Sequence, residues 1–141
     1  MKVREVMTRD VEVARPNDSI QSVAKQMAQL DVGSMPVCDG QRIQGMVTDR
    51  DITIRAVAQG LSSDSPISQV MTGNLEYLYD DDDLDHAADK MADSQIRRLP
   101  VVDRDNQLVG IVSLGDLARE HKEKVMGRTL EEISEPGRRS N

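Results

Sequence analysis

The stretch Gly45-Met46-Val47-Thr48-Asp49-Arg50-Asp51-Ile52 returns in diluted form as Gly110-Ile111-Val112-Ser113-Leu114-Gly115-Asp116-Leu117. That echo constrains the fold more than any other feature, because a chain that repeats itself builds the same unit twice. Val6-Met7-Thr8 and Val70-Met71-Thr72 open the two copies 64 residues apart, and Met35-Pro36-Val37 and Leu99-Pro100-Val101 keep that spacing. So do Ala24, Met27 and Ala28 against Ala88, Met91 and Ala92. From Gly45 and Gly110 onward the spacing is 65, which puts one extra residue in the polar turn Asp103-Arg104-Asp105-Asn106. A one-residue slip confined to a turn is what a duplicated fold tolerates.

In each copy a Gly is followed by an apolar pair, then a hydroxyl residue, then an aspartate three positions later. The pattern predicts a buried strand running into a helix start. Thr48 and Ser113 suit the N-cap, and Asp51 and Asp116 fall on the third helical position, facing free N–H groups and the positive end of the helix dipole. A single copy reads as a capping box. The doubled pattern admits a second reading, since a helix N-terminus attracts anions while a carboxylate beside it accepts hydrogen bonds from neighbouring hydroxyls. A phosphate and a ribose diol would suit those two groups.

Around this element the chain punctuates itself twice in the same order. Val11-Glu12-Val13 alternates like a short strand, and Pro16-Asn17-Asp18 marks a turn and helix start, with Asp18 and Gln21 fitting a capping box. Ile20, Val23, Ala24, Met27 and Leu30 form one apolar stripe, and Gly33 is placed to end that helix. Strands are expected over 35–37 and 43–47, joined by the turn Asp39-Gly40-Gln41. A helix over 49–59 follows, with Gly60 at its C′ position. Copy two gives strand 75–78, helix 84–91, strands 99–102 and 108–112 and helix 116–126, so the unit is βαββα, twice. Ser62-Ser63-Asp64-Ser65-Pro66 reads as a linker. Thr129 and Glu132 can cap a short last helix before a frayed tail.

Formal charge is −7, from 18 basic and 25 acidic residues, with no Trp or Phe and two Tyr. A nucleic-acid groove needs a basic stripe or aromatic stacking platforms, so nucleic acid is not an expected partner. No segment approaches the ~18 apolar residues of a membrane span, and the charged start Met1-Lys2-Val3-Arg4-Glu5 is unlike a signal peptide. A cytoplasmic protein is expected. Cys38 is the only cysteine, which excludes an internal disulfide, and it reads as a half-buried thiol at a strand end. The run Asp80-Asp81-Asp82-Asp83 reads as dipole-complementing acid at a helix start rather than a metal site, and neither His86 nor His121 sits with Cys38 at a ligand spacing. No metal is expected. No Ser-His or Cys-His pair and no Gly-rich phosphate loop stands at a recognisable motif, so an enzyme is not expected.

The paired Val-Met-Thr openings, the paired apolar-Pro-Val strands and the paired Gly-x-Val-(Thr/Ser)-x-x-Asp ends resemble two CBS domains, together one Bateman module, over roughly residues 3–127. The style is that of small stand-alone bacterial CBS-pair proteins. The resemblance implies an α/β (α+β) fold of two βαββα CBS repeats packed sheet to sheet about a pseudo-twofold. The expected domains are 3–63 and 68–127, with residues 128–141 as a short C-terminal helix and flexible tail. It further implies that Asp51 and Asp116 hold ribose hydroxyls, that Thr48 and Ser113 lie on the phosphate side, and that Thr8 and Thr72 line the clefts. The positions before each apolar-Pro strand also face ligand in the family; here they are Gly33 and Ser34 in copy one but Arg97 and Arg98 in copy two. Consecutive strand residues point to opposite faces, so one of the two arginines is expected on phosphate and the other is a surface or dimer-facing charge. The Asp116 cleft is expected to draw on these arginines, and the Asp51 cleft on Thr48 and Arg50.

The function implied is a non-enzymatic regulatory, signal-transduction module binding an adenosine-containing ligand: AMP, ADP, ATP, NAD or S-adenosylmethionine. No cofactor is required; an adenine nucleotide is the expected regulatory ligand. A homodimer and an unidentified protein target are the expected partners, and the alternative is a structural dimerisation or scaffold protein with empty clefts. The dimer expectation rests on apolar helix faces in both copies, with Leu130 and Ile133 beyond them.

Overall fold

A computed structural model of the chain describes residues 1–122. The short last helix and tail expected from the sequence lie outside the described residues. The chain opens with a 3-10 turn, Val3–Glu5, and continues through α1 (Ile20–Leu30), β1 (Ser34–Asp39) and β2 (Arg42–Thr48). A short α2 (Asp49–Asp51) runs directly into a π-helical segment, Ile52–Val57. Copy two repeats the order with a 3-10 turn at Ile67–Gln69, β3 (Leu78–Tyr79), α3 (Leu84–Ser94), β4 (Arg98–Val102) and β5 (Leu108–Ser113). The helix that follows, α4, covers residues 114–122 of the described chain.

The expected hairpins and the helices α1 and α3 form with shifted ends, the helix expected over 49–59 is α2 with its π-helical continuation, and residues 123–126 of the last expected helix lie outside the described residues. Ser19, not Asp18, caps α1 by accepting from the Ser22 N–H at 3.1 Å, while the Asp18 carboxylate accepts from the Arg15 N–H in the turn before it. Asp31, not Gly33, closes α1 in the left-handed region (φ 54°), and Gln95 does the same for α3 (φ 53°). Gly60 sits where expected, at φ 72° after the second helix.

Both hairpins are antiparallel, with Ser34 opposite Thr48 in one and Arg98 opposite Ser113 in the other. Each carries a bulge at the same place, after Val37 and after Val101. Copy two adds β3 in parallel beside β4, so one sheet has three strands and the other two. The expected strand over 11–13 is reduced to a single parallel bridge, Ala14 with Val37. Copy two pairs one residue further, where the Asp80 N–H donates to the Val102 carbonyl at 3.0 Å, and the residue 64 positions before Asp80 is Pro16, which has no N–H to donate. The expected strand over 75–78 survives only at Leu78, shifted to Leu78–Tyr79.

The copies exchange their openings. Val3 and Met7 pack into a core with Leu78, Met91, Leu99 and Val112 of copy two. Ile67 and Val70 pack into the other core with Ile20, Val23, Met35 and Val47 of copy one. The backbone ties run the same way: the Val3 N–H donates to the Asp82 carbonyl at 2.8 Å, and the Ile67 N–H to the Asp18 carbonyl at 2.7 Å. Thr8 then bridges Ile111 and Thr72 bridges Met46. These crossings explain the glycine of the echo. A Cβ on Gly45 would lie 2.8 Å from the Thr72 carbonyl oxygen, and one on Gly110 would lie 2.8 Å from that of Thr8. Only a residue without a side chain lets the strands pass there.

Candidate functional site

The echo folds as its capping pattern predicts, in both copies. Thr48 Oγ1 accepts from the Asp51 N–H at 3.0 Å, and Asp51 Oδ2 accepts from the Thr48 N–H at 3.0 Å. Ser113 and Asp116 make the same reciprocal pair, at 3.1 and 2.9 Å. The capping role consumes one carboxylate oxygen of each aspartate and leaves the other, Oδ1, to decide what the site can do. The two side chains are equally shielded, 17% exposed for Asp51 and 16% for Asp116, so burial does not distinguish them. Their partners do. Asp116 Oδ1 accepts from Arg119 at 2.8 Å, whereas Asp51 Oδ1 has Arg55 Nε at 3.8 Å, outside hydrogen-bond distance.

A cavity of about 600 Å³ opens on the Asp51 side. One wall is the end of β2 and the start of α2, bringing Thr48, Asp49 and Asp51. Ser34 and Gly33 stand at the start of β1, and Arg98 and Arg97 reach the cavity from the start of β4. Thr72, carried across by the exchange of openings, lines it too. Two polar atoms here are buried without any partner, Ser34 Oγ and Arg98 Nε. Buried polar groups are nearly always hydrogen-bonded, so two orphans among the residues of one lining set this cavity apart. Among the described residues, a depression of about 180 Å³ lies on the Asp116 side, beside Glu5, Arg119 and Glu120.

Of the residues singled out from sequence, Gly33, Ser34, Thr48, Asp51, Thr72, Arg97 and Arg98 come together in the one cavity. Ser113, Asp116 and Thr8 do not join them, and Arg50 is exposed with only its backbone N–H engaged, by Asp49. Arg98 stands opposite Ser113 in its hairpin and the Arg97 carbonyl accepts from the Leu114 N–H at 2.7 Å, and both arginines also line the cavity of Asp51. The same exchange lays the copy-two opening over β2 and joins the start of β4 to the copy-one helix start across the cavity. Of the arginines, Arg97 is exposed and Arg98 half-buried. Sequence reasoning missed Asn74 and Glu76, which also line the cavity. Their signal is their position just after Val-Met-Thr; Glu76 falls within the expected strand 75–78 and Asn74 just before it.

The remaining candidates resolve into structure. Asp81 pairs with Arg104 at 2.8 Å, Asp83 with Lys2 at 3.0 Å, and Asp82 accepts from the Tyr79 N–H at 2.9 Å, so the acidic run is divided among separate partners. Lys2 holds the Asp83 carboxyl below the usual carboxylate range. Among the described residues no group of three His, Cys, Asp or Glu is placed to hold a metal. Cys38 is buried within β1 rather than half-buried at its end, and burial pushes its thiol up to about 11. It is held as a neutral thiol at ordinary pH.

A duplicated α+β unit, with hairpins joined by exchanged openings and a cavity lined by both halves, defines a class of tandem-repeat modules. The model of the CBS domain matches residues 3–57 and again 67–123, and the chain belongs to the CBS domain family. The CBS domain-containing protein YhcV of Bacillus subtilis (strain 168) is 47% identical over 116 residues, 82% of each chain. The solved CBS domain pair of protein MJ0100, in complex with 5′-methylthioadenosine and S-adenosyl-L-methionine, superposes with a TM-score of 0.77 at 30% identity, over 88% of this chain and 98% of that one. CBSX2 in complex with AMP gives 0.78 at 25% identity, over 87% and 97%. Among the described residues no helix is long and apolar enough to cross a membrane.

Proposed function

We propose that this chain is a non-enzymatic regulatory module that binds an adenosine-containing ligand in the cleft between its repeats, on the Asp51 side. The observation that carries this reading is one cavity lined by Asp51, whose Oδ1 has no hydrogen bond among the described residues, and by Arg98 and Ser34, whose Nε and Oγ are buried without a protein partner. A cation and a hydroxyl suit a phosphate, and a carboxylate oxygen suits a ribose diol. The Thr48 hydroxyl accepts from the Asp51 N–H and keeps its own proton to donate. A cavity of about 600 Å³ lies within the range of small-molecule sites. The adenosyl ligands of MJ0100 and CBSX2 support the class AMP, ADP, ATP, NAD or S-adenosylmethionine.

A ligand that binds only the folded state stabilises it by about 2.7 kcal/mol at a hundredfold excess over its dissociation constant. A thermal-shift panel of AMP, ATP, NAD and S-adenosylmethionine is therefore expected to raise the melting temperature with at least one of them. A flat panel at millimolar ligand favours the scaffold reading instead. Self-association belongs to either reading, because Ile54, Val57 and Leu114 are large apolar side chains left 46%, 71% and 49% exposed on the second helix and α4. A homodimer is expected in light scattering, and a mass near the 15.7 kDa monomer contradicts it.

A further inference from the structure

The wall that the copy-two opening gives to the Asp51 cavity is anchored at its two ends and untied between them. Thr72 exchanges backbone hydrogen bonds with Met46 at 2.8 and 3.0 Å, and Arg55 donates to the Val70 and Met71 carbonyls just before it, at 3.3 and 3.4 Å. At the far end the Tyr77 carbonyl accepts from Lys90 at 2.7 Å, and β3 begins at Leu78. Between these anchors, among the described residues, no N–H or carbonyl of residues 73–76 is hydrogen-bonded to another backbone group. The side-chain tie is the 3.6 Å pair of Glu76 with Lys90. The equivalent stretch of copy one, residues 9–12, is tied within itself, the Val11 N–H donating to the Arg9 carbonyl at 3.0 Å.

The stretch also has room to move. Asn74, Leu75 and Glu76 line the Asp51 cavity, and Gly73, Asn74 and Leu75 line a second hollow of about 370 Å³ with Gln44 and Val102, so Asn74 and Leu75 border both spaces. Crowding does not require the glycine here as it does at Gly45: a Cβ on Gly73 would meet one atom within 4 Å, the Gln44 carbonyl oxygen at 3.9 Å. What glycine adds at this end of the stretch is backbone freedom. Exposed backbone without protein hydrogen bonds opens and closes at little cost. We infer that residues 73–76 form a strap, hung between Thr72 and the Lys90-held Tyr77, that closes over a ligand in the Asp51 cavity. Leu75 is its apolar side chain and gains contact with the ligand on closing, against the entropy of ordering four residues. The strap rests on the adenosyl-ligand reading above and adds its moving part, ordered when the cavity is filled and loose when it is empty.

Calorimetry of the full chain with AMP, ATP, NAD and S-adenosylmethionine, followed by hydrogen exchange with each compound that binds, tests the strap. In the free chain the amides of residues 73–76 are expected to exchange within about tenfold of the unprotected rate. Bound ligand is expected to slow them about tenfold or more, with residues 9–12 changed by about threefold or less. Lys90→Met removes the far anchor and is expected to weaken binding by about threefold to tenfold while the amides of α3 stay protected. Strong protection of residues 73–76 in the free chain, binding that leaves their exchange unchanged, or an unchanged affinity in Lys90→Met overturns the strap and leaves the adenosyl reading in place. Failure of all four compounds to bind overturns that reading, and the strap with it.

Discussion

Asp51→Ala is expected to lower AMP affinity by about ten- to a hundredfold, because a hydrogen bond to a charged group contributes on the order of 1.5–3 kcal/mol. Asp116→Ala is expected to leave affinity within about threefold, well under one decade of binding. The contrast comes from the second carboxylate oxygen. Asp116 spends both oxygens inside the protein, one on the Ser113 N–H and one on Arg119, whereas Asp51 spends one on the Thr48 N–H and turns the other toward the cavity. The two replacements remove the same capping pair, so Asp116→Ala also controls for lost helix capping. Calorimetry on both variants, with urea unfolding alongside, checks the expectation. Equal losses of affinity in the two variants would show that the partners of Oδ1 do not decide which aspartate serves the ligand.

Ile67→Ala is expected to cost about 2–5 kcal/mol of folding stability, the range for truncating a buried branched aliphatic side chain. Ile67 is 0% exposed and belongs by sequence to copy two, yet it packs with Ile20, Val23, Met35 and Val47 of copy one. The damage is therefore expected at a distance along the chain. Hydrogen exchange in the variant should speed up first at the amides of α1, β1 and β2, in residues 20–48. Loss of protection confined to residues 78–113 contradicts the exchange of openings.

The hairpins, their bulge-tolerant spacing and the reciprocal Thr48–Asp51 and Ser113–Asp116 pairs were legible in the sequence because each is local: the partners lie within a few residues and the repeat states them twice. The family resemblance was legible for the same reason, since its motifs recur in order at near-constant spacing. Ends of elements were read less well. Ser19 outcompeted Asp18 as a cap because the Asp18 carboxylate closes the turn on Arg15 instead, and the pairing beside each hairpin starts at Ala14 and Leu78, past the alternation at 11–13. The exchange of openings was not legible, because Val3, Met7, Ile67 and Val70 show apolar character without naming the core they enter. That single long-range choice brings Arg98 of one repeat beside Asp51 of the other, so the residues of the cavity could be named from the sequence while their assembly into one lining could not.

One competent cleft per chain is expected, built by Asp51 from one repeat and Arg98 from the other. Its most direct test is a calorimetric titration of AMP into the purified chain, read for stoichiometry. One ligand per chain is the predicted result, lost in Asp51→Ala and retained in Asp116→Ala. Two equivalent sites per chain, or a site that survives Asp51→Ala and disappears in Asp116→Ala, would contradict it.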